Sequence, residues 1–238
     1  MAYLIDFVKT NWNKLIMNTP VTAINPEDIP KSYYDFSKYN SKQRMLTYWY
    51  QLSMIHECHP RLVLEVGVGT GLVTAYLRHD GVHVATFDIN SQLNPDHVGS
   101  ILSLPEGLPL GLFDLVLCSR VLHHIPFGDM EKALCNLSAL TKRYCLITLP
   151  VNDFRIYLMA RITSSSISTL SLPLPLILKK VLVRMSGRGC DSGVWQINSS
   201  HETSENKVVG VIARRFHIIK MFRMPEDQSH MMFLLEKK

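Results

Sequence analysis

The sequence predicts a doubly wound α/β fold, and three observations carry that prediction. Strand-like and helix-like segments take turns from residue 59 to 150. The stretch "RLVLEVGVGTG" runs an apolar strand into a turn with three glycines, Gly67, Gly69 and Gly71. An acid, Asp88, ends the next strand, "VHVATFD", on the same edge of a parallel sheet as that turn.

The elements follow in order. Residues 1–58 read as an irregular, partly helical segment broken at "NTP" and "NPEDIP". Within it, "SKQRMLTYWYQLSMIHE" sets Met45, Leu46, Trp49, Leu52 and Ile55 at helical spacing, with Ser41 as the N-cap. Residues 59–150 form the core: the strand before the glycines, a helix "LVTAYLRHD" closed by Gly81, and the strand ending at Asp88. The short extended "HVGSI", the strand "FDLVLCS", a helix through "MEKALCNLSALTK" capped by Asp129, and the strand "YCLITLP" complete it. Residues 151–200 mix Arg, Ser, Leu and Pro without sustained period, which suggests an insertion or cap, partly helical at "PLILKKVLVRM". Residues 201–238 return to a helix near "SENKVVGVIARR", a strand "FHIIKMFRM" and a last strand "HMMFLLEK". All four stretches are expected to make one domain.

Composition limits the function classes. At 47% hydrophobic and 19% charged, the 238 residues can build a real core. The net charge of +5 comes from scattered Lys and Arg with no basic run, so no nucleic-acid partner is expected. Five cysteines without a CxxC pair favour free thiols in a reducing compartment, hence a cytoplasmic location. The opening "MAYLIDFVKTNWNK" lacks the pattern of a signal peptide, and the greasiest stretch, "ISTLSLPLPLILKK", is too broken for a transmembrane helix.

Two ligand classes compete for the glycine turn. A dinucleotide fingerprint wants G-x-G-x-x-G, but counting from Gly67 the third position is Leu72. A pyrophosphate at the following helix would also meet the carboxylate of Glu65. A cationic ligand would welcome that acid, and S-adenosylmethionine carries a sulfonium, an ammonium and no phosphate. Asp88 can accept both hydroxyls of a ribose.

At this point the chain resembles the class I S-adenosylmethionine-dependent methyltransferases, of the broad small-molecule "methyltransferase domain" type. The likeness runs in order through "LEVGVGTG", "FDIN", "PDHVGSILSLP" and "FDLVLCSRVLHHIP", with "SHMMFLLEKK" similar to the family's last strand. It implies a Rossmann-like seven-stranded, mostly parallel sheet with the last strand antiparallel, an N-terminal helical lid and an insertion after the fifth strand. Residue by residue, it implies that Glu65 faces the methionine ammonium, that Gly67, Val68, Gly69, Thr70 and Gly71 line methionine and ribose, and that Asp88 grips the ribose. Ile89, Ser100, Ile101 and Leu102 would lie on the adenine side, with Ser100 where many relatives place an Asp. Ser119 and Arg120 would flank the methionine end, and Tyr34 and Tyr39 would sit in the lid. S-adenosylhomocysteine would be the product.

Methyl transfer from a sulfonium is an in-line displacement, so the protein mainly aligns the acceptor and keeps the site dry. A base is needed only for a protonated, poorly acidic acceptor such as a sugar hydroxyl. His123 and His124 are the candidates, and helix-start packing is the competing reading of both. Trp195, His201 and His230 are candidate substrate contacts, with loop packing as the alternative. The spacing of "HECH" is not that of a zinc site, so no metal is expected. Residues 151–190 should set specificity; the stretch 167–185 reads either as an apolar cap over the acceptor or as a peripheral membrane patch. The expected partner is a small-molecule methyl acceptor, possibly a hydroxyl of a glycan or lipid-linked precursor, and the chain is expected to be a monomer or homodimer. A methyltransferase-like scaffold that binds cofactor without turnover is the alternative.

Overall fold

The computed structural model describes residues 26–153, 155–161, 167–173 and 194–238. The chain divides into two compact units, the larger made of Ile24–Asn152 and Gly193–Lys238. Its sheet has seven strands: β1 (Leu62–Val66), β2 (His83–Asp88), β3 (His97–Val98), β4 (Phe113–Ser119), β5 (Thr141–Pro150), β8 (Phe216–Met224) and β9 (Asp227–Lys237). Their spatial order is β3-β2-β1-β4-β5-β9-β8. The pairs among β1 to β5 are parallel, whereas β9 runs antiparallel to both β5 and β8. The strand order therefore reverses between β1 and β4, and the carboxyl ends of these strands form the edge where open α/β sheets bind ligands. This is the seven-stranded, mostly parallel sheet the sequence predicts.

The helices are α1 (Phe36–Tyr39), α2 (Lys42–Glu57), α3 (Leu72–His79), α4 (Met130–Leu140) and α5 (Glu205–Ala213). Strands buried on both faces alternate their side chains between two cores. On one side Leu64, Val116, Ile147 and Phe233 pack with Leu134 and Leu137 of α4 and Ile212 of α5. On the other, Val63, Leu115, Leu146 and Met232 pack with Met54 and Ile55 of α2 and Leu77 of α3.

Local signals behave as their chemistry requires. Ser41 caps α2, its hydroxyl accepting from the Arg44 amide at 3.2 Å. Gly81, at φ 83°, ends α3 by donating to Arg78 O while Val82 donates to Leu77 O. Asp129 stands at the N-cap of α4, but its side chain makes no capping bond, because a 3-10 turn over Phe127–Asp129 already leads into the helix.

Three expectations are corrected. The buried face of α2 is Thr47, Gln51, Met54 and Ile55, while Met45 and Trp49 (60% exposed) point outward. Thr47 and Gln51 can be buried because their polar groups find partners, which apolar spacing alone does not register. The helix over 130–140 stops at Leu140 and the strand begins at Thr141, whose hydroxyl hydrogen-bonds with Phe113 O, Tyr144 O and the Arg143 amide. Lastly, the insertion contains regular structure. Strands β6 (Arg155–Arg161) and β7 (Ile167–Pro173) pair antiparallel, from Arg155 opposite Pro173 to Arg161 opposite Ile167. Strand formers stand in both: Ile156 and Tyr157 in β6, and Ile167 and Thr169 in β7, where Ser and Leu also alternate. This hairpin belongs to the second compact unit. The helix expected at 175–185 lies outside the described residues, as does most of the 167–185 patch.

Among the described residues no helix is long and apolar enough to cross a membrane, and no cluster of three or more His, Cys, Asp or Glu could hold a metal. Cys58, Cys118, Cys135 and Cys145 are free.

Candidate functional site

The turn after β1 is built by its glycines. Gly67, Gly69 and Gly71 all have positive φ (82°, 52° and 69°), which L side chains rarely adopt. Gly67 donates to Phe87 O at 2.8 Å, and a Cβ on it would overlap Cγ2 of Val121. Gly71 is the N-cap of α3, so Leu72 opens that helix at the place where a dinucleotide fold needs its third glycine.

Asp88 latches this turn. Its Oδ2 accepts from the Val68 amide at 2.7 Å and its Oδ1 from the Asn90 amide at 2.8 Å. Burial raises its pKa, against the pull of the Asn90, Val68 and Ile89 amides. Buried Asn90 donates in turn to Ile29 O at 2.7 Å, tying the N-terminal segment to the same corner.

Glu65 is buried in β1, and its Oε2 takes two bonds from Thr74 of α3, one from the amide at 3.2 Å and one from the hydroxyl. Oε1 has no hydrogen bond among the described residues. Burial pushes the carboxyl up to about 7, although both Thr74 donors oppose it. Among the described residues its bonded partner is the neutral Thr74 alone, and Arg78 acts on it only weakly from a distance, so the carboxyl has no ion-paired cation there. The donor set therefore fits a ligand with an ammonium group, and it disfavours a phosphate.

The aromatic segment before α2 stands against the glycine turn. The ring of Tyr34 lies 3.7 Å from where a Gly69 Cβ would be, and Tyr48 Oη hydrogen-bonds Thr70 Oγ1 at 3.2 Å. Tyr33, Tyr34 and Tyr39 pack edge to face, and the Arg44 guanidinium lies 3.7 Å from the centre of the Tyr39 ring. Burial, then the neighbouring Tyr39 and Asp88, raise the Tyr34 phenol well above its ordinary range.

On the adenine side of the expected site the chain satisfies itself. Ser100 Oγ accepts from the Leu102 amide at 3.2 Å, and the Ile101 carbonyl accepts from Asn136 Nδ2 at 2.6 Å. One lone pair of the Ile101 carbonyl is thus in use, and the Leu102 amide donates to Ser100 Oγ. Ile89, directly after Asp88, is half-buried.

At the end of β4, Ser119 Oγ accepts from Gln51 Nε2 at 2.6 Å. Arg120 takes a left-handed φ of 57° while its amide donates to Thr148 O. Non-glycine residues in that region are uncommon and concentrate at functional sites. The 3-10 turn Leu122–His124 stacks two imidazoles with centres 4.0 Å apart. His123 is 1% exposed and its Nδ1 has no partner among the described residues. Burial, His124, Arg120 and His230 hold it well below the ordinary histidine pKa.

The three substrate candidates part company. His230 opens the buried part of β9 opposite Pro150, with Nδ1 2.8 Å from Ser229 Oγ and, among the described residues, no partner for Nε2. Trp195 is buried, its Nε1 donates to Ile125 O and its ring meets Phe127 edge-on. His201 sits on the surface, 90% exposed, beside Glu202 and Lys207. Sequence reasoning missed Arg44, Gln51, Thr74, Asn90 and Val121. Gln51 had one available signal, a polar residue on a helix face that also carries Met54 and Ile55.

A family model described as "Methyltransferase domain" matches residues 39–175, more than half of the chain. The chain belongs to that family. It is an S-adenosylmethionine-dependent methyltransferase of class I, as its strand order and antiparallel last strand also indicate. No curated protein matches this methyltransferase in sequence. Among solved structures, the magnesium protoporphyrin IX methyltransferase of Synechocystis PCC 6803, with bound S-adenosylhomocysteine, is 13% identical with a TM-score of 0.57, over 100% of this chain and 99% of that one. A putative O-methyltransferase of Nostoc punctiforme PCC 73102 is 16% identical, also with a TM-score of 0.57, over 97% of this chain and 69% of that one. An S-adenosylmethionine-dependent methyltransferase of Clostridium acetobutylicum ATCC 824 is 10% identical with a TM-score of 0.52, over 87% and 96%. At these identities the likeness is one of fold.

Proposed function

We propose that this methyltransferase methylates a hydroxyl of a small molecule, with a glycan or lipid-linked precursor as the first class to test. The observation that carries the reading is a pair of buried ring nitrogens without a partner among the described residues, His123 Nδ1 and His230 Nε2. His123 follows the end of β4, and His230 faces the end of β5, both on the carboxyl edge of the sheet. A buried polar atom without a partner costs about 1–3 kcal/mol, so such atoms mark places where a ligand group completes the bonding.

When bound, S-adenosylmethionine would supply a sulfonium-activated methyl group that passes in line to an acceptor oxygen, with S-adenosylhomocysteine as the leaving group. In this reading Gly67, Val68, Gly69, Thr70 and Gly71 offer close backbone approach, and Asp88 takes the ribose hydroxyls with the lone pairs its amide bonds leave over. Glu65 Oε1 receives the ammonium. Ser119 and Arg120 border the methionine end, and Tyr34 and Tyr39 keep water from the turn. His123, held neutral by its burial, accepts the hydrogen of the acceptor hydroxyl, while His230 positions it. The names of the Synechocystis and Nostoc structures, a porphyrin and an O-directed methyltransferase, are consistent with a small acceptor.

The test has two steps. Calorimetric titration with S-adenosylmethionine and S-adenosylhomocysteine should give saturable heat for both. Transfer of a radiolabelled methyl group should then be assayed on panels of sugars, lipid-linked saccharides, phenols, proteins and RNA. Label recovered only in protein or RNA would overturn the small-molecule reading. Binding with no transfer to any panel would instead identify a cofactor-binding scaffold.

A further inference from the structure

We propose that Asp227, acting through Ser229, fixes the tautomer of His230 so that its Nε2 offers the methyl acceptor a bare lone pair. Asp227 is then a positioning residue of the acceptor pocket. The proposal rests on the reading that His230 meets the acceptor, and it adds two residues to that reading.

The three residues belong to one short piece of chain, "DQSH", which enters β9. An Asp side chain readily bonds the backbone two residues on, and Asp227 Oδ1 does so, accepting the Ser229 amide at 3.0 Å. The Ser229 hydroxyl bonds the same carboxylate. Ser229 is also held from the neighbouring strand, since its carbonyl accepts the Val151 amide at 2.8 Å. Pairing of His230 with Pro150 then sets the imidazole at the end of β5.

Hydrogen counting decides the tautomer. A hydroxyl has one hydrogen, and a carboxylate only accepts. The Ser229 hydrogen goes to Asp227, which leaves the serine oxygen as an acceptor. Its 2.8 Å contact with His230 Nδ1 is therefore a donation from the ring N–H to Ser229. The opposite tautomer would turn the Nδ1 lone pair toward Asp227 Oδ2, 3.9 Å away, and the two would repel. Asp227 is ionised in the folded chain: burial acts to raise its carboxyl, but His230 and Ser229 hold it at about 2. The bond made by one ring nitrogen fixes the state of the other, so Nε2 carries no hydrogen.

This state has a chemical consequence. Nε2 is buried and has no partner among the described residues. A lone pair there receives a hydrogen and cannot give one to an acceptor oxygen. His230 thus selects a molecule that brings an O–H or N–H to this nitrogen. In a polyhydroxyl acceptor that group is a hydroxyl beside the one whose hydrogen His123 takes.

Two-bond proton–nitrogen correlation spectra of the full chain, carrying 15N-labelled histidine, read the tautomer directly. His230→Gln identifies the His230 signals by their loss. At pH 7.5 the parent should show Nδ1 protonated and Nε2 bare. Asp227→Ala frees the Ser229 hydrogen to point at Nδ1, and should raise the Nε2-protonated form by about tenfold or more. Asp227→Asn keeps the turn and one acceptor oxygen without the charge, and should lie between. A parent with Nε2 protonated, or one tautomer common to all three proteins, overturns the proposal. Both variants should bind S-adenosylhomocysteine within about twofold of the parent, while methyl transfer to the acceptor found in the panels falls by about tenfold. A changed tautomer with unchanged transfer also overturns it, because His230 would then not meet the acceptor. Absence of transfer to every panel would count against the proposed hydroxyl chemistry, whereas the tautomer is measured without any acceptor, which separates the two claims.

Discussion

Asp88 Oδ2 accepts the Val68 amide at 2.7 Å, so the end of β2 holds the turn that follows β1. The same carboxylate also takes the Asn90 amide, which sets the direction in which the chain leaves β2. The acid proposed to take the ribose therefore also latches the glycine turn. Asp88→Ala should weaken S-adenosylhomocysteine and 5′-methylthioadenosine alike, by tenfold or more on the order of a lost charge-assisted bond, and destabilise the fold by about 1–3 kcal/mol. Asp88→Asn keeps one acceptor oxygen and should lie between. Titration with both ligands, together with urea unfolding, reads the two effects separately. Binding within twofold of the parent in Asp88→Ala would remove Asp88 from the site.

Glu65 gives the protein a pH dependence of unusual sign. Burial raises its carboxyl from 4.5 to about 7 in the folded state. Between those values the folded chain holds the proton and the unfolded chain does not. The contribution of this group to stability is therefore full below pH 4.5 and is lost as pH rises through 7. The loss is on the order of 3 kcal/mol, at about 1.4 kcal/mol per pKa unit. Glu65→Gln should consequently be more stable than the parent at pH 8, with the gain shrinking toward pH 5. An ammonium beside Glu65 reverses the shift, so binding S-adenosylhomocysteine below pH 7 should release a proton. Calorimetry in two buffers of different ionisation heat measures that release, and 5′-methylthioadenosine should show none.

Gly67 and Val121 share one space. A Cβ at Gly67 would overlap the Val121 side chain, and the φ of 82° disfavours any L residue. Gly67→Ala should lose cofactor binding and about 2 kcal/mol of stability, from overlap and backbone strain together. Adding Val121→Ala removes the overlap but leaves the dihedral, so the double variant should recover only part of the stability. Urea midpoints of the three variants give the partition; full recovery would mean that the backbone carries no strain there.

What the sequence disclosed and what it withheld have physical reasons. The sheet was legible because buried strands read as short apolar runs, and the turn because left-handed backbone demands glycine at 67, 69 and 71. Asp88 was legible because the carboxyl end of a strand beside the turn is a fixed place. The face of α2 was not, since Thr47 and Gln51 become buriable only through partners on Gln43 and Ser119. The hairpin β6–β7 was obscured because its alternation is short and, among the described residues, its strands pair only with each other. The competing uses of Trp195 and Ser100 depend on Ile125 and Leu102 lying in reach, which residue type does not reveal.

His123 supplies the opposite pH effect to Glu65. Burial holds its imidazole neutral, with a pKa well below the ordinary 6.5. The unfolded chain binds that proton more readily, so the stability His123 contributes is present above pH 6.5 and falls as the solution is acidified below it. Phenylalanine has nearly the same shape, fits an apolar pocket and neither titrates nor leaves a ring nitrogen unpaired. His123→Phe should accordingly be at least as stable as the parent at pH 7.5 and clearly more stable at pH 5. Urea midpoints at the two pH values test this against the parent, and the same variant separates stability from chemistry. If His123 takes the acceptor proton, His123→Phe will bind S-adenosylhomocysteine normally while methyl transfer falls by about 100-fold, the usual scale of general-base catalysis. A gain in stability with transfer unchanged would show that the buried imidazole is a packing residue.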